Sequence, residues 1–434
     1  MPKLLQINIC LNLSTGKIAQ AIGEKAIAHG WESWIAYSGR TDDNVPSKSH
    51  VIRVGNFADA CMHYAHQRLF DEEGLHSSYY TKKLIREIDK IQPDIIHLHN
   101  IHDHWLKYPL LFKYIAERKI PVVWTQHDCW SFTGGCTYFD MTACEQWKHG
   151  CKDCPEKRGL IIKNRSGYQF RLKKELLDTI PSLTFVPVSD WLADMMRESC
   201  QKHRDIITIH NGTDISKFKP VAKKDNSDKY KIIGVASTWS ERKGLDDFVK
   251  LRAMLPDDYQ ITLVGLSEKQ KESLPDGIIG LTRTSTVEDL VQLYSDADVF
   301  VNPTYSDNFP TTNIEALACG TPVITYKTGG SPEAIDEKTG VVVEQGNTEE
   351  LSINIMNMHE HPLSRDDCRS RAEMLYDKDK CFEKYIQMYN SLVINKIGGG
   401  NRLKVCGIQE LRNTGFKKLR IAAYSSCKER RMAA

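Results

Sequence analysis

The sequence predicts an α/β chain built as two doubly wound parallel-sheet domains facing one another across a cleft. Three observations carry this expectation: short apolar runs alternate with stretches of helical spacing, the alternation restarts midway, and a polar segment at 219–230 separates the two halves. The chain has 434 residues, 41% hydrophobic and 26% charged, which is enough for two or three domains of about 150 residues. Gly (27) and Pro (16) are ordinary and aromatics reach 9%, which excludes a collagen-like or wholly disordered chain.

In the first half, the apolar runs at 4–9, 34–37, 94–97, 121–126 and 184–188 read as strands, each ending in a polar or Gly-containing turn. Helical spacing follows at 18–28, 84–91 and 106–115. Unbroken apolar runs suit strands covered on both faces, as in a parallel sheet. The second half repeats the pattern at 231–236, 261–264, 278–281, 299–302, 322–325 and 340–343. Ser285 and Glu288 have capping-box spacing, and Val287, Leu290, Val291 and Tyr294 line one face of the helix they would open. A last helical segment at 379–392 follows the second sheet. Open α/β sheets bind ligands at the carboxyl ends of their strands, so the site is expected in the cleft between the two sheets.

The net charge of +2 gives no nucleic-acid footprint, but it is unevenly spread. Residues 401–434 hold nine Lys/Arg against Glu410 and Glu429, a charge of +7, which leaves −5 on residues 1–400. With Phe416, Leu419, Ile421 and Tyr424 among its cations, this tail reads either as a peripheral contact to an anionic membrane face or as a solvated extension. No apolar run approaches the roughly 20 residues of a spanning helix, and Gln6 and Asn8 interrupt the first apolar run, so the chain is expected in the cytoplasm, with any membrane contact peripheral at the inner face. The 13 Cys are then expected as reduced thiols.

The strongest local signal runs from Asp307 through Asn308, Phe309, Pro310, Thr311, Thr312 and Glu315 to Gly320 and Pro322. It follows the strand at 299–302, so its turn lies at a sheet's carboxyl edge and Pro310 stands where a helix opens. Thr311 and Thr312 then present unpaired backbone N–H groups, a ready anion site. Two carboxylates flanking such a helix end suit a sugar nucleotide; the plainer alternative is a capped helix with solvated acids.

This segment resembles the E-x7-E region of retaining family-4 glycosyltransferases with the GT-B fold, of the bacterial polysaccharide-biosynthesis type, in the variant with Asp first. The resemblance implies that Glu315 binds the nucleotide ribose and Asp307 the donor sugar, with Asn308, Phe309, Thr311 and Thr312 on the donor. Other segments agree with the same family. Asn211, Gly212, Asp214, Phe218 and Pro220 match its interdomain signature. Arg242 and Lys243 close the loop after the strand at 231–236 and would neutralise the diphosphate; Thr238 stands where many relatives have an Arg, and Arg242 is the candidate substitute. His127, delivered by the strand at 121–126, corresponds to the family's His near the anomeric carbon. Gly16, in the turn 12–17, corresponds to its glycine-rich approach to the phosphates. Arg283, after the strand at 278–281, is a candidate for contacting the base.

The resemblance covers about residues 1–395 and implies an N-terminal acceptor-side domain at 1–218, a linker at 219–230 and a nucleotide-sugar-binding domain at 231–376. A helix at 377–397 would pack back on the first domain, leaving the basic tail at 398–434. It implies a retaining glycosyltransferase acting from a nucleoside-diphosphate sugar on a glycan or lipid-linked acceptor in cell-surface polysaccharide biosynthesis. The chemistry would need no catalytic cofactor, and His127 and Asp307 are the expected catalytic pair. Donor sugar, base, acceptor and linkage are not set by these residues.

Three patterns point elsewhere. His97, His99, His102 and His104 lie within eight residues and invite a metal-dependent hydrolase reading, although Ile101 stands where H-x-H-x-D-H needs Asp. Asp296 and Asp298 imitate a D-x-D motif but fall between a helix end and a buried strand, a structural position. Cys136, Cys144, Cys151 and Cys154 have separations able to close tetrahedrally on a structural zinc, with free thiols as the competing reading. A noncatalytic protein that binds nucleotide sugars is the remaining alternative.

Overall fold

The computed structural model describes residues 1–40, 45–139, 142–155, 163–224 and 228–397. Residues 1–385 form one compact unit, which holds both sheets, and residues 386–434 form a second, described only as far as 397. The expected basic tail lies outside the described residues.

The first sheet contains β1 (Lys3–Asn8), β2 (Glu32–Ser38), β3 (His50–Val54), β4 (Ile95–Leu98), β5 (Val122–Gln126), β6 (Leu183–Pro187) and β7 (Asp205–Ile206), ordered 3-2-1-4-5-6-7 and parallel throughout. The helices of this half are α1 (Ser14–Ala28), α2 (Phe57–Phe70), α3 (Ser78–Ile91), α4 (Tyr108–Arg118), α5 (Ser166–Asp178) and α6 (Asp190–Glu198). The second sheet contains β8 (Tyr230–Val235), β9 (Tyr259–Val264), β10 (Ile278–Leu281), β11 (Val299–Asn302), β12 (Val323–Tyr326) and β13 (Gly340–Val343), ordered 10-9-8-11-12-13, again parallel. Its helices are α7 (Leu245–Met254), α8 (Glu268–Glu272), α9 (Val287–Asp296), α10 (Thr311–Ala318), α11 (Thr348–Glu360), α12 (Arg365–Leu375) and α13 (Lys378–Ile397).

Both strand orders reverse direction beside the first strand of their half, β1 next to β4 and β8 next to β11. Those are the switch points where doubly wound sheets open a crevice. The fold class is therefore the one expected, and its physical cause is burial on both faces. The central strands are buried without alternation: Leu4, Leu5 and Ile7 of β1 and Val122 and Val123 of β5 are all fully buried. One apolar cluster under α7 and α11 and another under α9, α10 and α12 sandwich the second sheet.

One sequence expectation shifts, and one strand was not expected. The capping box of α9 is Thr286 with Asp289, one residue beyond the expected Ser285 and Glu288: Thr286 Oγ1 accepts from Asp289 N at 3.1 Å while the Asp289 carboxylate accepts from Thr286 N at 2.9 Å. The strand β3, half-exposed and at the sheet edge, carries His50 and Arg53 and so lacks the apolar run that marked its neighbours.

The interdomain signature acquires a mechanical reading. A Cβ on Gly212 would come within 2.4 Å of Lys378 Cα, so only glycine lets these segments pass. Thr213 N donates to Tyr376 O at 2.8 Å, Lys378 N donates to Thr213 O at 3.0 Å, and Asp214 pairs with Lys378 Nζ at 2.7 Å. The first turns of α13 reach the first half of the chain, where Lys25 of α1 pairs with Asp379 and Glu383, and the hydroxyls of Tyr385 and of Thr125 in β5 lie 2.9 Å apart. Asp296 and Asp298 anchor the linker through Lys224 N at 2.8 Å and Lys223 Nζ at 2.6 Å, a structural use.

Candidate active site

Four loops at the carboxyl ends of strands build the site: those after β4, β5, β8 and β11. The loop after β8 is a short helical turn, Glu241–Lys243, closed by Gly244 at φ +74°. A Cβ there would sit 2.2 Å from Pro303 O, so glycine is required both by conformation and by the adjoining loop. Arg242 O accepts from Tyr305 N at 2.8 Å and from Thr304 Oγ1 at 3.2 Å, and the Arg242 guanidinium donates to Ser306 O. Buried Asp247, in the first turn of α7, fixes the same loop by accepting from Tyr305 Oη at 2.7 Å and Tyr326 Oη at 3.0 Å.

This scaffolding brings Lys243 against Asp307, Nζ to Oδ2 at 2.5 Å, both side chains largely enclosed. Asp307 Oδ1 accepts from Phe309 N at 3.2 Å, so both carboxylate oxygens are engaged. Asn308 reaches across to the first sheet, donating through Nδ2 to His127 O at 2.6 Å, while its buried Oδ1 has no partner among the described residues. Phe309 is buried against His210, ring centroids 4.9 Å apart. Pro310 caps α10, which leaves Thr311 and Thr312 in its first turn, half-exposed at the crevice.

Glu315, one turn further along α10, accepts a hydrogen bond from Tyr294 Oη at 3.3 Å. Burial pushes its carboxyl up to about 7, against the smaller opposing effects of Tyr294 and of Lys17 from the first half of the chain. Lys17 is the neighbour of Gly16, and both stand at the start of α1. Gly16 itself packs into its own loop: a Cβ there would lie 2.5 Å from Leu11 C, a requirement the sequence pattern did not specify. Arg283 is exposed beyond β10, at the outer edge of the second sheet, and makes no ion pair with these residues.

On the opposite wall, His127 follows β5, with Nε2 3.1 Å from His99 Nδ1 and the two rings stacked. Burial lowers His127 to about 4 and drives His97 and His99 well below the usual range, so all three imidazoles are neutral near pH 7. The reverse holds for His102. Burial opposes its charge, but Asp128 at 2.9 Å and Asp103 at 3.3 Å outweigh that and raise it well above 6.5.

The histidine-rich loop thus has no single convergent purpose. His97 bonds Thr125 Oγ1 at 2.7 Å, His99 bonds Gln6 and His127, His102 bonds Asp128 and Asp103, and His104 bonds Gln67 at 2.7 Å. These separate partners do not gather the four imidazoles around one ion as the hydrolase alternative requires. Sequence reasoning missed several members of the wall. Gln6, Asn8 and Glu73 all enter its hydrogen-bond network, and Tyr138 stacks under the Arg242 guanidinium at 4.7 Å. It missed Gly329 and Gly330 as well, at which a Cβ would come within 1.9 Å of Asp307 O and 2.1 Å of Asn308 O. Their Gly-Gly pair, a few residues after the strand at 322–325, was the available signal.

Two family descriptions match this architecture lobe by lobe: Glycosyltransferase Family 4 over residues 22–217 and Glycosyl transferases group 1 over residues 217–374. The chain belongs to the family-4 type GT-B glycosyltransferases.

This glycosyltransferase is 22% identical over 417 residues to WcaC of Escherichia coli K12, a glycosyl transferase named for colanic acid biosynthesis, with 90% of this chain and 100% of that protein covered. It is 25% identical over 255 residues to a Campylobacter jejuni N,N'-diacetylbacillosaminyl-diphospho-undecaprenol alpha-1,3-N-acetylgalactosaminyltransferase, covering 53% of this chain and 67% of that enzyme. Among solved structures, the sucrose-phosphate synthase of Thermosynechococcus elongatus superposes with a TM-score of 0.68 at 18% identity, over 90% of this chain and 99% of that one. Anabaena HepE, solved in complex with UDP, superposes with a TM-score of 0.62 at 14% identity, over 90% and 100%. These structural likenesses establish the GT-B fold. No described helix of the transferase is long and apolar enough to cross a membrane.

Proposed function

We propose that this enzyme transfers a sugar from a nucleoside-diphosphate donor to a glycan or lipid-linked acceptor, with retention at the anomeric carbon, in the assembly of a cell-surface polysaccharide. The observation that carries the reading is a continuous run of contacts across the two halves: Lys243 on Asp307, Asn308 beside it, and Asn308 on His127. The names of the colanic acid and diphospho-undecaprenol relatives support the acceptor class, and the HepE–UDP complex supports the donor class.

The roles follow from charge. The leaving diphosphate gains negative charge as the glycosidic bond breaks. Lys243 as a point charge, Arg242 as a forked donor and the backbone N–H groups of Thr311 and Thr312 at the positive end of α10 are fixed in advance to receive it. Asp307 would repel phosphate at such close range, which leaves it for the sugar hydroxyls. Neutral His127 offers a ring nitrogen to the sugar without placing a second cation there. Glu315 accepts from the ribose hydroxyls once ionised. Front-face departure and attack then need positioning and charge stabilisation from these groups.

A melting-temperature screen against UDP-, GDP- and ADP-sugars identifies the donor, because a ligand bound only by the folded state raises the transition. The matching donor should then release nucleoside diphosphate only when acceptor is supplied, and the product anomer should keep the donor's configuration. Inversion in the product, or no stabilisation by any of the three nucleotide classes, refutes the reading.

A further inference from the structure

The long connection between β5 and α5 leaves the first sheet at His127 and ends at Ser166, where α5 begins, with only two short helical turns among its described residues, Trp130–Phe132 and Gln146–Lys148. A connection of this length inside a compact domain needs something to hold it. Its four cysteines supply a candidate. Cys136, Cys144, Cys151 and Cys154 line one small cavity, roofed by the buried rings of Phe139 and Trp147. The Cys136 and Cys154 sulfurs are 3.4 Å apart, far beyond the ~2.05 Å of a disulfide and near the roughly 3.8 Å edge of a tetrahedron with 2.3 Å zinc–sulfur bonds.

Two features around the cavity suit a metal thiolate centre. Gly134 N donates to Cys151 Sγ at 3.2 Å, and a Cβ on Gly134 would lie 2.8 Å from Cys151 Cβ, so the chain is shaped to bring a backbone donor onto that sulfur. Lys173 is buried to 1% exposure beside this connection, its ammonium 3.8 Å from the Trp130 ring centre and donating to Trp130 O at 2.5 Å. A buried cation calls for buried negative charge, and a divalent ion with four thiolates carries a net charge of −2. Among the described residues, the groups of His, Cys, Asp and Glu whose donor atoms all lie within 4.8 Å are elsewhere: His66, Glu72 and His76; Glu73, His102 and Asp103; and Asp190, His210 and Glu333. No three of the four cysteine sulfurs lie within that spacing of one another, so binding an ion requires the connection to close around it.

We propose that Cys136, Cys144, Cys151 and Cys154 bind one structural zinc ion as thiolates, clipping this connection so that Tyr138 stays packed on Arg242 across the crevice. Binding releases the thiol protons to solvent and involves no redox change. The inference is independent of donor, acceptor and stereochemistry.

The test is metal analysis of the full chain purified under reducing conditions without chelator. About one equivalent of zinc per chain is expected, and Co2+ exchanged into its place should give the thiolate-to-cobalt charge-transfer and tetrahedral d–d bands. Cys144→Ser and Cys154→Ser should each lower bound metal at least tenfold, whereas Cys61→Ser, at an exposed thiol on α2, should leave it unchanged. If the serine variants fail to fold, the cobalt spectrum of the unmodified chain still decides. A folded chain that holds under a tenth of an equivalent and takes up neither Zn2+ nor Co2+ overturns the proposal. Iron in place of zinc, or a disulfide among the four, overturns it equally.

Discussion

Lys243 and Asp307 meet as an enclosed ion pair, and the value of that pair lies in where it holds the ammonium. A truncated Lys243 leaves Asp307 without its counter-charge and, on the proposed reading, removes a fixed cation from the leaving diphosphate. Lys243→Ala should therefore lower kcat/KM by on the order of 10²–10³, the range seen when one preorganised donor is removed from an anion-stabilising site. Steady-state kinetics with the cognate donor check this, and a loss under tenfold contradicts the assigned role. Glu315 offers a pH test at the same scale. Burial raises its folded-state value from the usual 4.5 to about 7, so between those limits the native chain binds more protons than the unfolded one. Native stability falls as pH rises through that window and stays reduced above it. Glu315→Gln should accordingly raise Tm at about pH 8, with little change at about pH 5, while weakening nucleotide binding. An equal Tm shift at both pH values would show that the carboxyl's ionisation is not the cause.

The turn Glu241–Lys243 and the loop between β11 and α10 behave as one element, because each supplies the other's missing partners. Tyr305 and Thr304 bond Arg242 O, and Gly244 leaves room for Pro303 O. Gly244→Ala forces a side chain into a left-handed conformation and a 2.2 Å contact. A destabilisation of about 1–3 kcal/mol is expected, together with a raised donor KM as Lys243 is displaced. Denaturant unfolding measures the first and kinetics the second; unchanged KM in a destabilised variant would separate the glycine from the site. The motif Asp307–Glu315 was legible because Pro310, the threonines and the acids occupy consecutive positions on one turn and one helix. Gln6 and Asn8 were not. In the sequence they only interrupt an apolar run, whereas in the fold Gln6 supports His99 and Asn8 Oδ1 accepts from Asn100 N at 3.2 Å. Their importance comes from β1 lying beside β4, across nearly ninety residues of chain.

Across residues 1–385, several groups tie the two halves, and Glu333 makes three of the contacts. Its carboxylate accepts from Asp190 N at 2.8 Å and Trp191 N at 2.6 Å, at the positive end of α6, and meets His210 Nε2 at 3.0 Å. Glu333→Ala leaves two helix donors and an imidazole without this partner, at a cost of about 1–3 kcal/mol. A Tm lowered by several degrees and a larger radius of gyration by small-angle scattering are expected; an unchanged radius would deny that Glu333 holds the halves together.

The order of apolar runs, the polar break at 219–230 and the turn chemistry around Asp307 and Pro310 sufficed to determine two doubly wound sheets and the start of α10 at Thr311, since periodicity and capping act over a few residues. Tertiary structure alone decided which side chains share the crevice. It set Asn308 on His127, dispersed the four clustered histidines among separate partners and brought Tyr138 under Arg242. Those choices depend on strand order and on contacts between distant loops, which local spacing does not encode.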